Sequence, residues 1–175
     1  MEKKVSSSAI IRDGFIYPRA WYTAMVTVVI LDSNFLFVPL QFKIDIFHEI
    51  PRLVEGSTRL VIPRGVIDEM NRIASGNRGY QRGRDARTAL LLAEGKQEHG
   101  GVIVLDVPLD EGEPVDDYVI RIALEMLQDP EKFQKEVQPV EAVVIATNDK
   151  EVKEKAIENV IRIIELRGKT QLAFR

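Results

Sequence analysis

Apolar positions along the chain fall into two kinds of run. "VTVVIL" at 26–31 is β-branched and does not alternate, which suits a central strand buried on both faces. "TRLVIP" at 58–63 reads as a second buried strand, and "GVIVLDV" at 101–107, "AVVIAT" at 142–147 and "VIRIIEL" at 160–166 as three more. "KTQLAF" at 169–174 suits a last edge strand. The intervening runs have helical spacing. "PRGVIDEMNRIA" begins with Pro63 in a first turn, and "ARTALLLAEGKQEH" turns its alanines and leucines to the core. "VDDYVIRIALEMLQ" repeats Val119, Ile122, Ala123 and Met126 near a period of 3.6, and "DKEVKEKAIEN" supplies a final helix. After the first strand, "SNFLFVPLQFKIDIFHEIPRLVEG" reads as helical turns with Phe42, Ile46, Phe47 and Ile50 on one stripe. Pro39 and Pro51 are expected to divide it and Gly56 to stop it.

Strands alternating with helices predict an α/β domain whose mostly parallel sheet is covered on both sides. With 175 residues, 45% of them hydrophobic, one domain can bury roughly 70% of its unfolded surface. Three stretches depart from the pattern. "SGNRGYQRGRD" at 75–85 is a glycine-rich connection, residues 129–140 are a polar excursion, and residues 1–24 precede the first strand. This opening is expected to be an N-terminal extension outside the core domain at 25–175, with a packing arm as the other reading.

A net charge of -3 argues against a protein that coats nucleic acid by bulk charge, although local basic patches survive it. The absence of cysteine excludes disulfides, thiolate zinc sites and cysteine nucleophiles, and makes a cytoplasmic location the default. His48 and His99 lie far apart, so a histidine metal site or a serine triad has little material. The first 15 residues lack the apolar run of a secretory signal, and no stretch reaches the roughly 18 uncharged apolar residues of a membrane span.

Ligands of open parallel sheets bind outside the carboxyl ends of the strands, and acids gather there. Asp32 follows the first strand and Asp149 the fourth. Glu69 lies in the helix after the second, and Asp116 and Asp117 open the helix after the third. Four carboxylates in one region repel at about 4 kcal/mol per pair at ~4 Å and an effective dielectric near 20. Either some are protonated or a cation sits among them. Oxygen ligands without histidine or cysteine favour Mg²⁺ or Mn²⁺. Taken singly, Asp116, Asp117 and Asp149 also suit helix caps and Glu69 a solvated helix face. Asp32 is harder to explain that way, because the run before it is wholly apolar.

The ordered fragments Asp32-Ser33-Asn34, "PRGVIDEM" with Glu69, "VDDYVIRIA" and Thr147-Asn148-Asp149 resemble the motifs of PIN-domain ribonucleases from about Met25 to the C-terminus. "DSNFL", "KIDIF" and "VIATNDKEVKEK" are most similar to PIN nucleases that process small-subunit ribosomal RNA, particularly archaeal-type members; VapC-type toxins are also similar. The resemblance implies a three-layer α/β/α PIN-like fold. It further implies a metal-dependent ribonuclease, an endonuclease rather than an exonuclease, with Asp32, Glu69, Asp116 and Asp149 as catalytic acids holding one or two divalent ions. Asp117 is an alternative ligand to Asp116, although the register Asp-x-x-Val-x-x-x-Ala favours Asp116. Asn34, Thr147 and Asn148 would orient carboxylates or touch phosphate. The implied products carry a 5′-phosphate and a 3′-hydroxyl.

Substrate binding needs local positive charge, and Arg72, Arg78, Arg82, Arg84 and Arg87 provide it, with Tyr80 available to stack on a base. The expected partner is single-stranded RNA. A homodimer, an antitoxin and a ribosome-assembly factor are further partners to consider. Two rival readings remain at this point: a toxin paired with its antitoxin, and a PIN-like RNA-binding or assembly module without catalysis.

Overall fold

The computed structural model describes residues 25–76 and 79–175, together with the backbone of two short strands, β1 (Ala9–Arg12) and β2 (Phe15–Pro18). These two pair antiparallel as a separate sheet. The rest of residues 1–24, and with it the expectation of an extension, lies outside the described residues, as does Arg78.

The main sheet is built from β3 (Val26–Leu31), β4 (Thr58–Pro63), β5 (Ile103–Leu105), β6 (Val140–Ala146), β7 (Arg162–Arg167) and β8 (Gln171–Phe174). Their order is β5-β4-β3-β6-β7-β8, and every neighbouring pair is parallel except β7 with β8. Every residue of β3 is buried, as expected for its unbroken β-branched run in the middle of the sheet. The chain starts in the centre, steps outward to β5, returns to place β6 beside β3, and then steps outward the other way. The junction of β3 and β6 is therefore a topological switch point, where diverging connections leave a crevice beyond the carboxyl ends of the strands.

A 3-10 helix (Ser33–Phe37) and α1 (Val38–Phe42) follow β3, and α2 (Ile46–Leu53) packs on β4 and β8. α3 (Arg64–Ser75) packs against α4 (Tyr80–Glu98), and α5 (Val115–Gln128) lies on β6 and against α7 (Lys150–Glu158). Helices thus flank a mostly parallel sheet. Among the described residues, no helix is long and apolar enough to cross a membrane.

Several local expectations are corrected. The break in the 33–56 stretch falls at 43–45 and not at the prolines. Lys43 turns the chain with a left-handed φ of +57°, and the Asp45 carboxylate caps α2 by accepting from the N–H groups of Phe47 at 3.1 Å and His48 at 3.3 Å. Pro39 sits in the first turn of α1, where a missing N–H costs nothing, and Pro51 is carried inside α2. The glycine-rich connection is shorter than expected because α4 already begins at Tyr80. Gly83 is a packing residue of that helix: a Cβ there would lie 3.4 Å from the carbonyl of Ile73 and 3.5 Å from that of Ala74. β5 has three residues, shorter than its apolar run, and the polar excursion contains α6 (Gln134–Val137), anchored by buried Phe133 and Val137.

The loop between β5 and α5 is strapped down over α3. Tyr118, fully buried, donates to the Val107 carbonyl at 2.6 Å and accepts from the Gly65 N–H at 3.3 Å. The Arg121 guanidinium donates twice to Glu113, each at 2.8 Å, and also to Glu125 and the Pro108 carbonyl. These contacts fix the start of α5 beside α3, which sets Asp116 relative to Glu69.

Candidate active site

Asp32 follows the last residue of β3, and its main-chain N–H still donates to the Ala146 carbonyl of β6 at 3.1 Å. The side chain is 1% exposed. Oδ1 accepts from the Ser33 N–H at 2.7 Å, which caps the 3-10 helix. Oδ2 accepts from Asn34 Nδ2 at 2.8 Å and from Thr147 Oγ1 at 2.7 Å. A carboxylate offers about four lone-pair positions, so three are filled and one remains, on Oδ1. No cationic side chain pairs with Asp32 among the described residues. Burial, opposed by the bonds from Thr147 and Ser33 and assisted by the charges of Asp116 and Glu69, pushes its pKa up to about 6.

A relay of amides holds this carboxylate in place. Thr147, fully buried, also accepts from the Asp149 N–H at 3.0 Å, and Asn34 Oδ1 accepts from the Asn148 N–H at 3.0 Å. Asn148 Oδ1 in turn accepts from the Leu166 N–H at 2.9 Å. The ends of β3, β6 and β7 are tied together through these short polar side chains.

The other acids differ in their surroundings. Asp149 caps α7, with Oδ1 accepting from the N–H groups of Glu151 at 2.8 Å and Val152 at 3.2 Å; Oδ2 has no partner among the described residues. Glu69 is half-buried in α3, and its charge acts on both Asp32 and Asp116. Burial raises the pKa of Asp116, helped by the charges of Asp149, Glu151 and Glu69 and opposed by Lys155. Asp117 is instead paired with Lys155 at 2.6 Å, and Lys155 also holds Glu151 at 2.9 Å. Of the two adjacent aspartates, Asp116 is the one coupled to the buried acid.

Four acids thus share one electrostatic neighbourhood. Among the described residues, no three acids or histidines stand close enough to hold an ion as a set. The donor set nevertheless fits a hard, hydrated cation: Mg²⁺ commonly takes one or two carboxylates, keeps several waters and completes its shell with substrate phosphate.

The basic segment separates residue by residue. Tyr80 is 82% exposed beside a hollow of about 310 Å³ that Arg87 also lines, but the Arg87 guanidinium is spent on the Ala74 carbonyl at the end of α3. Arg84 bonds Gln81 at 2.8 Å, and Arg72 is exposed in the last turn of α3. Arg82 alone of these lines a larger groove of about 660 Å³. Sequence reasoning missed most of this groove. Phe37, Gln41, Phe42, Asp85, Lys153 and Lys169 contribute to its wall beside Asn34, which bonds Asp32, and Asn148, whose N–H bonds Asn34.

No curated protein sequence matches the chain. Among solved structures, the PIN domain endonuclease Utp24 superposes with a TM-score of 0.59 at 23% identity, over 85% of this chain and 90% of that one. A domain of a functionally unknown protein from Methanocaldococcus jannaschii DSM 2661 does so with a TM-score of 0.52 at 16% identity, over 81% of this chain and 91% of that one. Both show the same fold. The family model described as a PIN like domain matches residues 29–169, a span that includes every acid of the site. The chain belongs to the PIN-like domain family.

Proposed function

We propose that this protein is a divalent-metal-dependent ribonuclease that hydrolyses RNA phosphodiester bonds endonucleolytically at Asp32, Glu69, Asp116 and Asp149. The observation that carries the reading is Asp32: a buried carboxylate oriented by three hydrogen bonds, near the like charges of Asp116 and Glu69 and without a cationic partner among the described residues. A structural acid in that position would be expected to have a basic partner, since an unpaired buried charge is costly. Asp32 and Asp116 would hold Mg²⁺ or Mn²⁺, with Glu69 and Asp149 on its flanks. When bound, such an ion lowers the pKa of water and neutralises charge on a scissile phosphate.

The chain's own residues would do the rest. Thr147 and Asn34 keep the Asp32 carboxylate in one rotamer, so its free lone pair on Oδ1 keeps a constant direction. Lys155 offsets part of the charge of Asp117 and Glu151, which limits the acidic charge that an approaching phosphate meets. Utp24 is an endonuclease, and the motif resemblance to nucleases of small-subunit ribosomal RNA makes ribosomal RNA the substrate to try first.

The test is cleavage of a labelled single-stranded RNA in Mg²⁺, Mn²⁺ or EDTA by wild type, Asp32→Asn, Asp149→Asn, Asp116→Asn and Asp117→Asn. Metal-dependent internal cutting that is lost in the first three variants and retained in Asp117→Asn supports the assignment. A wild type that binds RNA yet cuts it with neither metal overturns it in favour of a binding module.

A further inference from the structure

We propose that the groove beside Asp32 is a subsite for an unpaired nucleotide of the strand, stacking its base on Phe42 and holding its backbone on Arg82 and Lys169. Its relation to the scissile bond rests on the nuclease reading above; its capacity to bind does not.

The first argument is position. Asn34 and Asn148 stand in the groove wall, and Asn34 Nδ2 is 2.8 Å from the Asp32 carboxylate, so a ligand in the groove lies one side chain away from the buried acid. The second is size. A volume of about 660 Å³ is within the usual range of pockets that enclose a small organic ligand, ample for a nucleotide and its neighbouring phosphate.

The third argument is chemistry. The wall combines the half-buried Phe42 ring, backed by buried Phe37, with cations, amides and the carboxylate of Asp85; a ring face and cations are what a single strand asks for. Several cations elsewhere among the described residues are occupied, although others, such as Lys43, Arg72 and Lys135, make no ion pair there either. Lys155 is held by Asp117 and Glu151, Arg121 by Glu113 and Glu125, and Lys153, in this same wall, by Glu165 at 2.8 Å. Arg82 and Lys169 make no ion pair among the described residues, so two uncommitted cations face one groove. Asp85 lines the same groove, where it accepts from Gln81 Nε2 at 2.8 Å, so the described wall carries two cations without an ion pair against one carboxylate.

Lys169 is positioned by a hairpin turn. It sits in the turn between β7 and β8 with a left-handed φ of +61°, next to Gly168 at +59°. Positive φ at both central positions is what a tight hairpin turn requires, and Thr170 N–H closes it on the Arg167 carbonyl, so the turn fixes where the Lys169 side chain leaves the backbone. Gln41 is exposed at the rim with its amide unpartnered among the described residues, placed to read the edge of a stacked base. Stacking and edge reading both require a base that is not paired, so the groove selects single strands over duplex.

Fluorescence anisotropy in EDTA separates binding from cutting. The probes are short labelled homopolymers of each RNA base, the corresponding DNA, a blunt RNA duplex and a free mononucleotide. Lys169→Ala and Arg82→Ala, both at exposed positions, are expected to weaken single-strand binding about five-fold each. Each should also flatten the salt dependence by a log-log slope of about 0.7. Gln41→Ala is expected to change the rank order of the homopolymers, and duplex binding should be weak and indifferent to all three changes. Variants that bind single strands as the wild type does would overturn the subsite, even if the protein cuts RNA. A mononucleotide that binds as tightly as the oligomers would overturn the strand assignment. Groove-dependent binding by a protein that cuts with neither metal would support the subsite and refute the nuclease reading.

Discussion

Replacing Asp32 with asparagine should make the metal-free protein more stable at neutral pH and less stable in acid. Burial raises this carboxyl from an ordinary value of 3.8 to about 6, a shift of about 2 units, or about 3 kcal/mol at 1.36 kcal/mol per unit. Between these two values the folded protein keeps a proton that the unfolded chain has released. Stability from this group is therefore greatest below about pH 4, falls as pH rises through about 6, and stays low above it. Asparagine removes the charge penalty, but its NH₂ cannot accept a hydrogen bond. One side of the carboxylate's set, either the Ser33 N–H or the Thr147 and Asn34 donors, is then unsatisfied, at a cost of about 1–2 kcal/mol. The balance is a gain of about 1–2 kcal/mol near pH 8 and a loss of similar size near pH 4. Urea unfolding followed by circular dichroism in EDTA across that range measures both ends. A difference between variant and wild type that does not change with pH, or an asparagine protein that is the weaker one near pH 8, would refute the reasoning. Excess Mg²⁺ at about 100 times its dissociation constant should then stabilise the wild type by about 2.7 kcal/mol and the variant by much less.

Val160 ends α7 with a left-handed φ of +59° while 90% exposed, and the Ile161 N–H to Ala156 carbonyl bond of 2.8 Å closes the motif that usually has glycine there. Val160→Gly should raise stability by about 1 kcal/mol, seen as a thermal midpoint higher by about 2–4 °C. A Cβ on Gly65 would overlap Leu109 Cδ1 and come within 2.9 Å of Tyr118 Cε1, so Gly65→Ala should cost about 1–3 kcal/mol in urea unfolding. The Arg121 guanidinium holds the Glu113 carboxyl below its ordinary value of 4.5. Its stabilisation is present above about pH 4.5 and lost as pH falls through the folded value, so the deficit of Glu113→Gln in unfolding experiments should shrink in acid.

The bounds of β3, β4 and α5 could be read residue for residue, because two-sided burial and a 3.6 period leave a direct trace in residue order. Gly83 misled the reading of α4: a glycine that lets two helices approach looks the same in a sequence as one that frees a turn. Asp32 was legible because nothing else explains an acid after a wholly apolar run. The register already favours Asp116 over Asp117, but the ion pair that occupies Asp117 comes from Lys155 on a different helix, and no local pattern announces it. The groove was invisible for the same reason. Gln41, Arg82 and Lys169 come from three separate segments, and only the strand order brings them together.

Thr147 reaches Asp32 across 115 residues of chain. A ribosome making this protein releases β3, β4 and all of α5 before β6 can dock beside β3. Until then the Asp32 carboxylate has neither its Thr147 donor nor its neighbour Asp149, and it stands in water as an ordinary acid. The centre is therefore completed only after 115 further residues have followed Asp32 out of the ribosome. Under the nuclease reading, a nascent chain surrounded by RNA is harmless until Thr147 has emerged, and a fragment that ends before Thr147 stays harmless for good.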